Sequence, residues 1–283
     1  MRYLSAAWHF FVALTPAGRL GLLVSLFWVV IAIAGQALAP YPVNDIGAGP
    51  LFGGMSAHYW LGTDYLGRDI LSRIIAGSRY SIGLALTSAI LASVIGTLLA
   101  LLAAVSGSWL EEILGRINDA LLVLPGKVMS LMIVAVFGSS LPMLIITAVF
   151  TYWPGAYRIA FALASQLRNM DYVRASALRG ESRWYLAIHE ILPNMIHPML
   201  TDFGLRFVYI VLLLSGLSFL GLGVQPPQAD WGSLVRENLQ GLFDGSPAIL
   251  MPALAIASLT IGVNLFIDSL QNMRPLVRVQ EGV

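Results

Sequence analysis

The chain has 283 residues, 58% of them hydrophobic and only 11% charged, with a mean hydropathy of +0.79. Soluble domains carry about a quarter charged residues, so this composition argues against a soluble globular protein, a disordered chain or a nucleic-acid binder. A net charge of +1 gives no field to attract an acidic polymer, and the absence of cysteine removes disulfides, thiolate metal sites and cysteine nucleophiles.

In a chain of this kind the useful count is of membrane spans, each needing about 20 apolar residues to cross a hydrocarbon core about 30 Å thick. After an N-terminal segment 1–19, the first run without Asp, Glu, Lys or Arg is 20–44, with its apolar heart at Leu22–Ala39. Ala37-Leu38-Ala39 resembles a signal-peptide cleavage site. Pro40 follows at once and the run is long for a signal, so an uncleaved anchor over 20–39 is expected. An outer segment, 40–78, comes next. Within it, 58–78 reads as a helix started by Thr63 or Asp64, with Leu66, Ile70 and Ile74 at helical spacing. The second span falls in Tyr80–Leu110. The region Ala120–Tyr157, charged only at Lys127, is too long for one crossing and is broken by Gly138-Ser139-Ser140-Leu141-Pro142, which predicts spans near 118–138 and 143–165. A fifth run, Phe207–Ala229, is entered from about Met199, and Gly245–Ile267 is the sixth. Long Leu- and Ala-rich runs without period-two alternation favour helices over strands. The expected fold is an all-α polytopic membrane protein with six transmembrane helices, its five-helix core spanning 79–275 before a tail, 276–283.

Arginine placement sets the orientation. With both termini inside, Arg2, Arg19, Arg116, Arg168, Arg174, Arg179, Arg183, Arg274 and Arg278 fall on the cytoplasmic side. Arg68, Arg73, Arg79 and Arg236 remain outside. The inner segment 166–197 and the outer loop 224–246 are then the main connections within the core.

Catalytic signatures do not appear. Lys127 follows Pro125-Gly126, but Leu121 and Val128 occupy the places a phosphate-binding loop needs for glycine and Ser or Thr. His9, His58, His189 and His197 form no metal-ligand pattern, and His189-Glu190 lacks the second histidine of HExxH. No GxSxG elbow occurs. Asp119, Asp202 and Asp268 fall near span ends, whereas a proton or sodium relay needs carboxylates deeper in the membrane.

The inner segment is the most informative stretch. Asp171 can cap a short helix over 172–179, Gly180 can end it in a left-handed turn, and Ser182 can cap a second helix ending before Pro193. Ala175, Ser176, Ala177 and Gly180 are small enough for another protein surface to approach the backbone, with Arg174, Arg179 and Arg183 around them. These residues fit either a solvated loop with positive-inside arginines or a docking knob for a cytoplasmic partner.

Arg174-Ala175-Ser176, Gly180 after three intervening residues, and Leu192-Pro193 resemble the EAA-type loop of binding-protein-dependent ABC importer permeases. His58–Asp69, Asp171–Asn194, Ser218–Gly223 followed by Asp230-Trp231-Gly232, and Asn264–Asp268 together resemble the dipeptide/oligopeptide/nickel permease family, in order, over about residues 20–275. Two residues depart from the pattern: Arg174 stands where that loop begins with an acidic residue, and Glu190 where an apolar residue or histidine is usual.

The resemblance implies a type I ABC importer permease in a bacterial inner membrane, without catalytic residues of its own. ATP and Mg would be held by two cytoplasmic ATPase subunits. A second homologous permease subunit would complete the pathway, and an extracytoplasmic substrate-binding protein would deliver peptides, similar small polar solutes or metal chelates. Coupling to the ATPase would run through Asp171, Arg174, Ala175, Ser176, Ala177, Arg179, Gly180, Leu192 and Pro193.

Lys127, Arg158 and Arg206 are candidate pathway cations. The structural alternatives are snorkelling or, for Lys127, pairing with Asp119. Tyr65, Arg68 and Trp231 are candidates to face the binding protein, with an interfacial anchor as the other reading of Trp231. The small residues Gly83, Ala85, Ala89, Ala92, Ser93 and Gly96 are expected to pack within the chain. A self-sufficient ion-coupled secondary transporter and a membrane-embedded enzyme are the rival classes. The first is disfavoured by the missing inverted repeat and the second by the lack of clustered catalytic groups.

Overall fold

The structure, a computed structural model, describes residues 11–272; Arg2, His9, Arg274, Arg278 and the tail 276–283 lie outside the described residues. Helix α1 (Pro16–Leu38) starts with Pro16, whose missing N–H costs nothing in a first turn, and the Thr15 side chain accepts from Gly18 N–H. Helix α2 (Ile70–Ser106) is followed by α3 (Ser108–Val123), α4 (Gly126–Phe137), α5 (Leu141–Arg168) and α6 (Asp171–Leu178). Helix α7 (Arg183–Phe219), the short α8 (Trp231–Glu237) and α9 (Leu250–Asn272) complete the order. Among the described residues the regular structure is helical, apart from an isolated bridge between Thr63 and Asp69.

Among the described residues, four helices are long and apolar enough to cross a membrane: Pro16–Gly35 of α1, with α2, α7 and α9. The pair α3–α4 makes a fifth when its two halves are taken together. Helix α5 has 28 residues, about 42 Å at 1.5 Å per residue, but Tyr152-Trp153-Pro154 and Arg158 interrupt its apolar character.

The expected continuous span at 118–138 is corrected. Helices α3 and α4 meet at an 87° bend, because Pro125 has no N–H to donate and holds Leu124 extended at φ −77°, ψ 128°. Glu111, Glu112, Arg116 and Asp119 make α3 amphipathic. The break foreseen at Gly138 is present, with φ +85° at that glycine after the last turn of α4.

The separate outer helix over 58–78 is also corrected. Residues 39–69 are almost entirely irregular, and the helix that follows them is the start of α2, capped by Asp69. The Asp69 carboxylate accepts from Ser72 N–H at 2.8 Å. Asp64 is fully buried and accepts from the N–H groups of Leu66 and Arg68, both at 2.9 Å. Its second oxygen takes Arg68 Nε at 2.8 Å and Arg73 Nη1 at 2.7 Å, and Glu237 receives the same Arg73 nitrogen at 2.7 Å. This paired network fixes the irregular segment to α2 and α8.

The interior has two parts. One is centred on Ile70, Ile74, Ile82, Val211, Trp231 and Leu259. The other joins Ala100–Ala104 to Tyr157, Ala160, Ala164, Val173, Ala187, Ile191 and Met195. Between them, α2 and α5 touch closely: a Cβ on Gly96 would lie 2.6 Å from Ala156 Cβ. Ala85, Ala89, Ala92 and Gly96 are buried and Ser93 half-buried, whereas Gly83 faces open space. The stripe therefore serves intrachain packing, where small residues let helix backbones approach.

Trp231 is wholly buried and joins three helices. Its backbone N–H donates to Ser81 Oγ and its indole N–H to the Ile74 carbonyl, each at 2.9 Å. Trp28 of α1 packs on it edge-to-face at 4.7 Å. Beside it, burial pushes the Asp230 carboxyl above the usual carboxylate range, opposed by hydrogen bonds from Ser218 and Ser233.

Candidate functional site

Residues 166–197 form a compact elbow. Met170, not Asp171, occupies the N-cap of α6, and Asp171 is the first helical residue with no side-chain cap; its charge still complements the helix N-terminus. Gly180 has φ +84°, a conformation that favours glycine and turns the chain after α6. Ser182 then accepts from Tyr185 N–H at 3.2 Å and caps α7.

The expected stop before Pro193 does not occur. A π-helical turn over Leu186–Ile191 carries the chain through Leu192-Pro193 into the span, with Leu192 N–H donating to the Ala187 carbonyl. Widening the helix there accommodates a residue that cannot donate. The elbow and the membrane helix are thus one continuous rod.

Side chains lock the elbow to the bundle. Val173, Ala187 and Ile191 are buried against the C-terminal ends of α2 and α5. Arg183 Nη1 donates to the Ser106 carbonyl at 2.8 Å and Arg168 Nη1 to the Ala104 carbonyl at 2.7 Å. Across the bend, Ser176 Oγ donates to Glu190 Oε1 at 2.7 Å while accepting from Arg179 Nη2 at 2.6 Å. Glu190, one of the two departures from the family pattern, therefore ties α6 to α7. Arg174 is exposed and donates to Asn169 Oδ1 at 3.2 Å.

The outward face combines the exposed small residues Ala175, Ala177 and Gly180 with Leu178, which is 89% exposed, and Trp184, 59% exposed. Tyr172, Tyr185 and Ile188 extend this apolar surface, with Tyr185 stacked on His189 at 4.7 Å. Sequence reasoning missed Leu178 and Trp184. The available signal was a large apolar side chain on each side of a capped glycine turn, in a segment too polar to enter the membrane. Leu192 is half-buried and Pro193 exposed at the elbow's exit.

The three candidate pathway cations separate. Arg206 is 6% exposed and satisfied within the chain, with Asp202 Oδ2 at 2.6 Å and the Tyr152 carbonyl at 2.5 Å. Lys127 is exposed at the start of α4, on the wall of a cavity of about 280 Å³ shared with Ser130 and with Leu213, Gly216 and Leu220 of α7. Among the described residues, the alternative pairing of Lys127 with Asp119 is not formed, because the bend at Pro125 carries α4 away from the axis of α3. Arg158 is exposed midway along α5. Among the described residues, neither Lys127 nor Arg158 makes an ion pair.

The structure places Tyr65, Arg68 and Trp231 in partly or wholly buried positions. Trp231 presents no surface to a partner or to the interface. Arg68 is 8% exposed and bound to Asp64 and Glu237, with its guanidinium 5.2 Å from the Tyr65 ring centroid. Tyr65 is half-buried and donates its N–H to Asn238 Oδ1. Among the described residues, no group of three His, Cys, Asp or Glu is disposed to hold a metal ion.

Residues 96–273 match the family model described as the binding-protein-dependent transport system inner membrane component. The chain is 32% identical over 266 residues to the glutathione transport system permease protein GsiD of Pectobacterium atrosepticum, covering 94% of this chain and 88% of that protein. It is 30% identical to the dipeptide transport system permease protein DppC of Alkalihalophilus pseudofirmus, covering 89% and 83% respectively. It is 29% identical to the nickel transport system permease protein NikC of Escherichia coli K12, covering 93% and 95%.

Proposed function

The chain belongs to the binding-protein-dependent transport system inner membrane components, and from that premise we propose that it forms half of the pathway of an ATP-driven importer, gripped by an ATPase at the 171–194 elbow. It is an inner-membrane permease subunit and is not itself catalytic. Its assembly comprises a second homologous permease, two cytoplasmic ATPase subunits and an extracytoplasmic binding protein. Peptides or similar small polar solutes, metal chelates included, are the proposed cargo, in keeping with the dipeptide, glutathione and nickel systems of its relatives.

In this reading α1, α2, the pair α3–α4, α5, α7 and α9 make six crossings with both termini inside. The arginines of the elbow support that sidedness. Segment 40–69 and the loop 220–249 face outward, where exposed Trp60 and Phe243 offer contacts to a docked binding protein. Lys127 and Arg158 face the water-filled path or the partner permease, since a bare cation against lipid is costly.

One observation carries the proposal: an apolar knob around Leu178 and Trp184 on an elbow that hydrogen-bonds to the end of α2 through Arg183 and packs Val173, Ala187 and Ile191 against α2 and α5. Displacement of such a knob moves the helices attached to it, and two packed arrangements suffice for alternating access. The test is to purify the tagged chain in mild detergent and reconstitute it. Co-purification of a nucleotide-hydrolysing subunit and a second permease, with uptake that requires ATP, is expected. Uptake by this chain alone, driven by a proton or sodium gradient, would refute the reading.

A further inference from the structure

At the end of the bundle opposite the elbow, a cavity of about 400 Å³ lies between α1, α2 and the loop leading to α8. Ala104 and Ser106 of α2 accept hydrogen bonds from Arg168 at the end of α5 and Arg183 of the elbow, and the cavity's arginines, Arg79 and Arg73, lie roughly 40 to 50 Å back along that helix. The two guanidinium groups differ in state. Arg73 is 3% exposed; its Nη1 is taken by Asp64 and Glu237, and its buried Nε has no hydrogen-bond partner. Arg79 is exposed and makes no ion pair among the described residues. Asp64 and Glu237 pair with Arg68 and Arg73 and the Asp69 carboxylate is held by Ser72, so Arg79 is the cationic side chain at the cavity without a carboxylate partner among the described residues.

The opposite wall is apolar and exposed. Ile33, 83% exposed, lines the cavity from α1 and continues a bare apolar face through Val30, Phe27, Leu26 and Leu23. Ile33 to Leu23 spans about 15 Å of helix, close to half the hydrocarbon thickness. A ligand that satisfies both walls carries a single negative oxyanion on a long apolar chain. We propose that this cavity binds the phosphodiester headgroup of a membrane phospholipid between Arg73 and Arg79, with an acyl chain laid along the exposed face of α1. Arginine suits this task because its planar fork donates charge-assisted bonds to phosphate oxygens, and basic pockets between membrane helices take lipid headgroups in this way. The bound lipid bridges the peripheral α1 to α2 where the packing between them leaves a gap.

Native mass spectrometry of the purified transporter complex, titrated with phosphatidylglycerol, tests the assignment. Arg79→Ala leaves the Asp64–Arg68–Arg73–Glu237 network intact, and its expected effect is a loss of about tenfold in retention of one lipid per copy of this chain, as for a lost charge-assisted contact. Ala34→Phe, which narrows the cavity without changing charge, is expected to lower retention comparably. Arg116→Ala, on an exposed pair of α3, is expected to leave it unchanged. Equal retention by the wild-type and Arg79→Ala complexes overturns the proposal. Displacement of the lipid by millimolar glycerol 3-phosphate assigns the cavity to a water-borne anion and overturns the lipid source.

Discussion

Lys127 and Arg206 show how differently two cations in membrane-spanning helices can be treated. The guanidinium of Arg206 is answered one helical turn away by Asp202 and across the bundle by the Tyr152 carbonyl, so its charge is spent on holding α5 to α7. Lys127 has no such answer among the described residues, and it borders a cavity beside α7. In the proposed reading, where that cavity belongs to the pathway, a lone ammonium would favour passage of a solute carrying a carboxylate or phosphate. Lys127→Met in the reconstituted transporter is expected to slow uptake of an anionic solute about tenfold relative to a neutral analogue, equivalent to about 1.4 kcal/mol. Equal slowing of both would assign Lys127 to structure alone. The difference between these cations was invisible in the sequence, because i,i+4 pairing shows there but a carbonyl on another helix does not. Trp231 illustrates the same limit. Its position after a capping aspartate is legible, but its partners Ser81, Ile74 and Trp28 come from two distant helices.

The elbow was the most legible element, and its errors are instructive. Gly180 and Ser182 behave as their chemistry requires, since a left-handed turn and a cap are decided within a few residues. Asp171 falls inside the helix, not before it. Pro193 does not stop the helix, because a π-helical turn absorbs the missing donor. At Pro125 the opposite happens, and a run read as one span bends by 87°. Whether proline ends, bends or merely widens a helix depends on the packing around it. Glu190 also acquires a role only in three dimensions, through the Ser176 hydroxyl fourteen positions away. A hydrogen bond to a charged group at this half-buried site contributes about 1–2 kcal/mol. Glu190→Ala is expected to loosen the bend and lower substrate-stimulated ATP hydrolysis several-fold in an assembled complex, with Glu190→Gln retaining most of it. Undiminished stimulation in Glu190→Ala would show that the α6–α7 tie does not transmit force.

On the scale of the molecule, helices α2, α5 and α7 run between two interiors, one gathered around Trp231 and the other beneath the elbow. The all-helical class followed from hydropathy because a bilayer imposes length and apolarity on each crossing, whereas four helices, or five with the bent pair, among the described residues are long and apolar enough to cross, against the six expected. The outer segment resisted the same reading, since a paired network of Asp64, Arg68, Arg73 and Glu237 replaces the amphipathic helix its spacing suggested. The account depends on the exposed knob of the elbow lying in the cytoplasm and meeting a separate ATPase. The chain contains no cysteine, so Leu178→Cys introduces a single thiol at a position that is 89% exposed. Labelling with a membrane-impermeant maleimide is expected in inside-out vesicles and not in intact spheroplasts, and a short bifunctional reagent is expected to join that thiol to the ATPase subunit. Labelling from the outer face of spheroplasts, or a fully assembled active complex in which that thiol reaches no ATPase, would contradict the account.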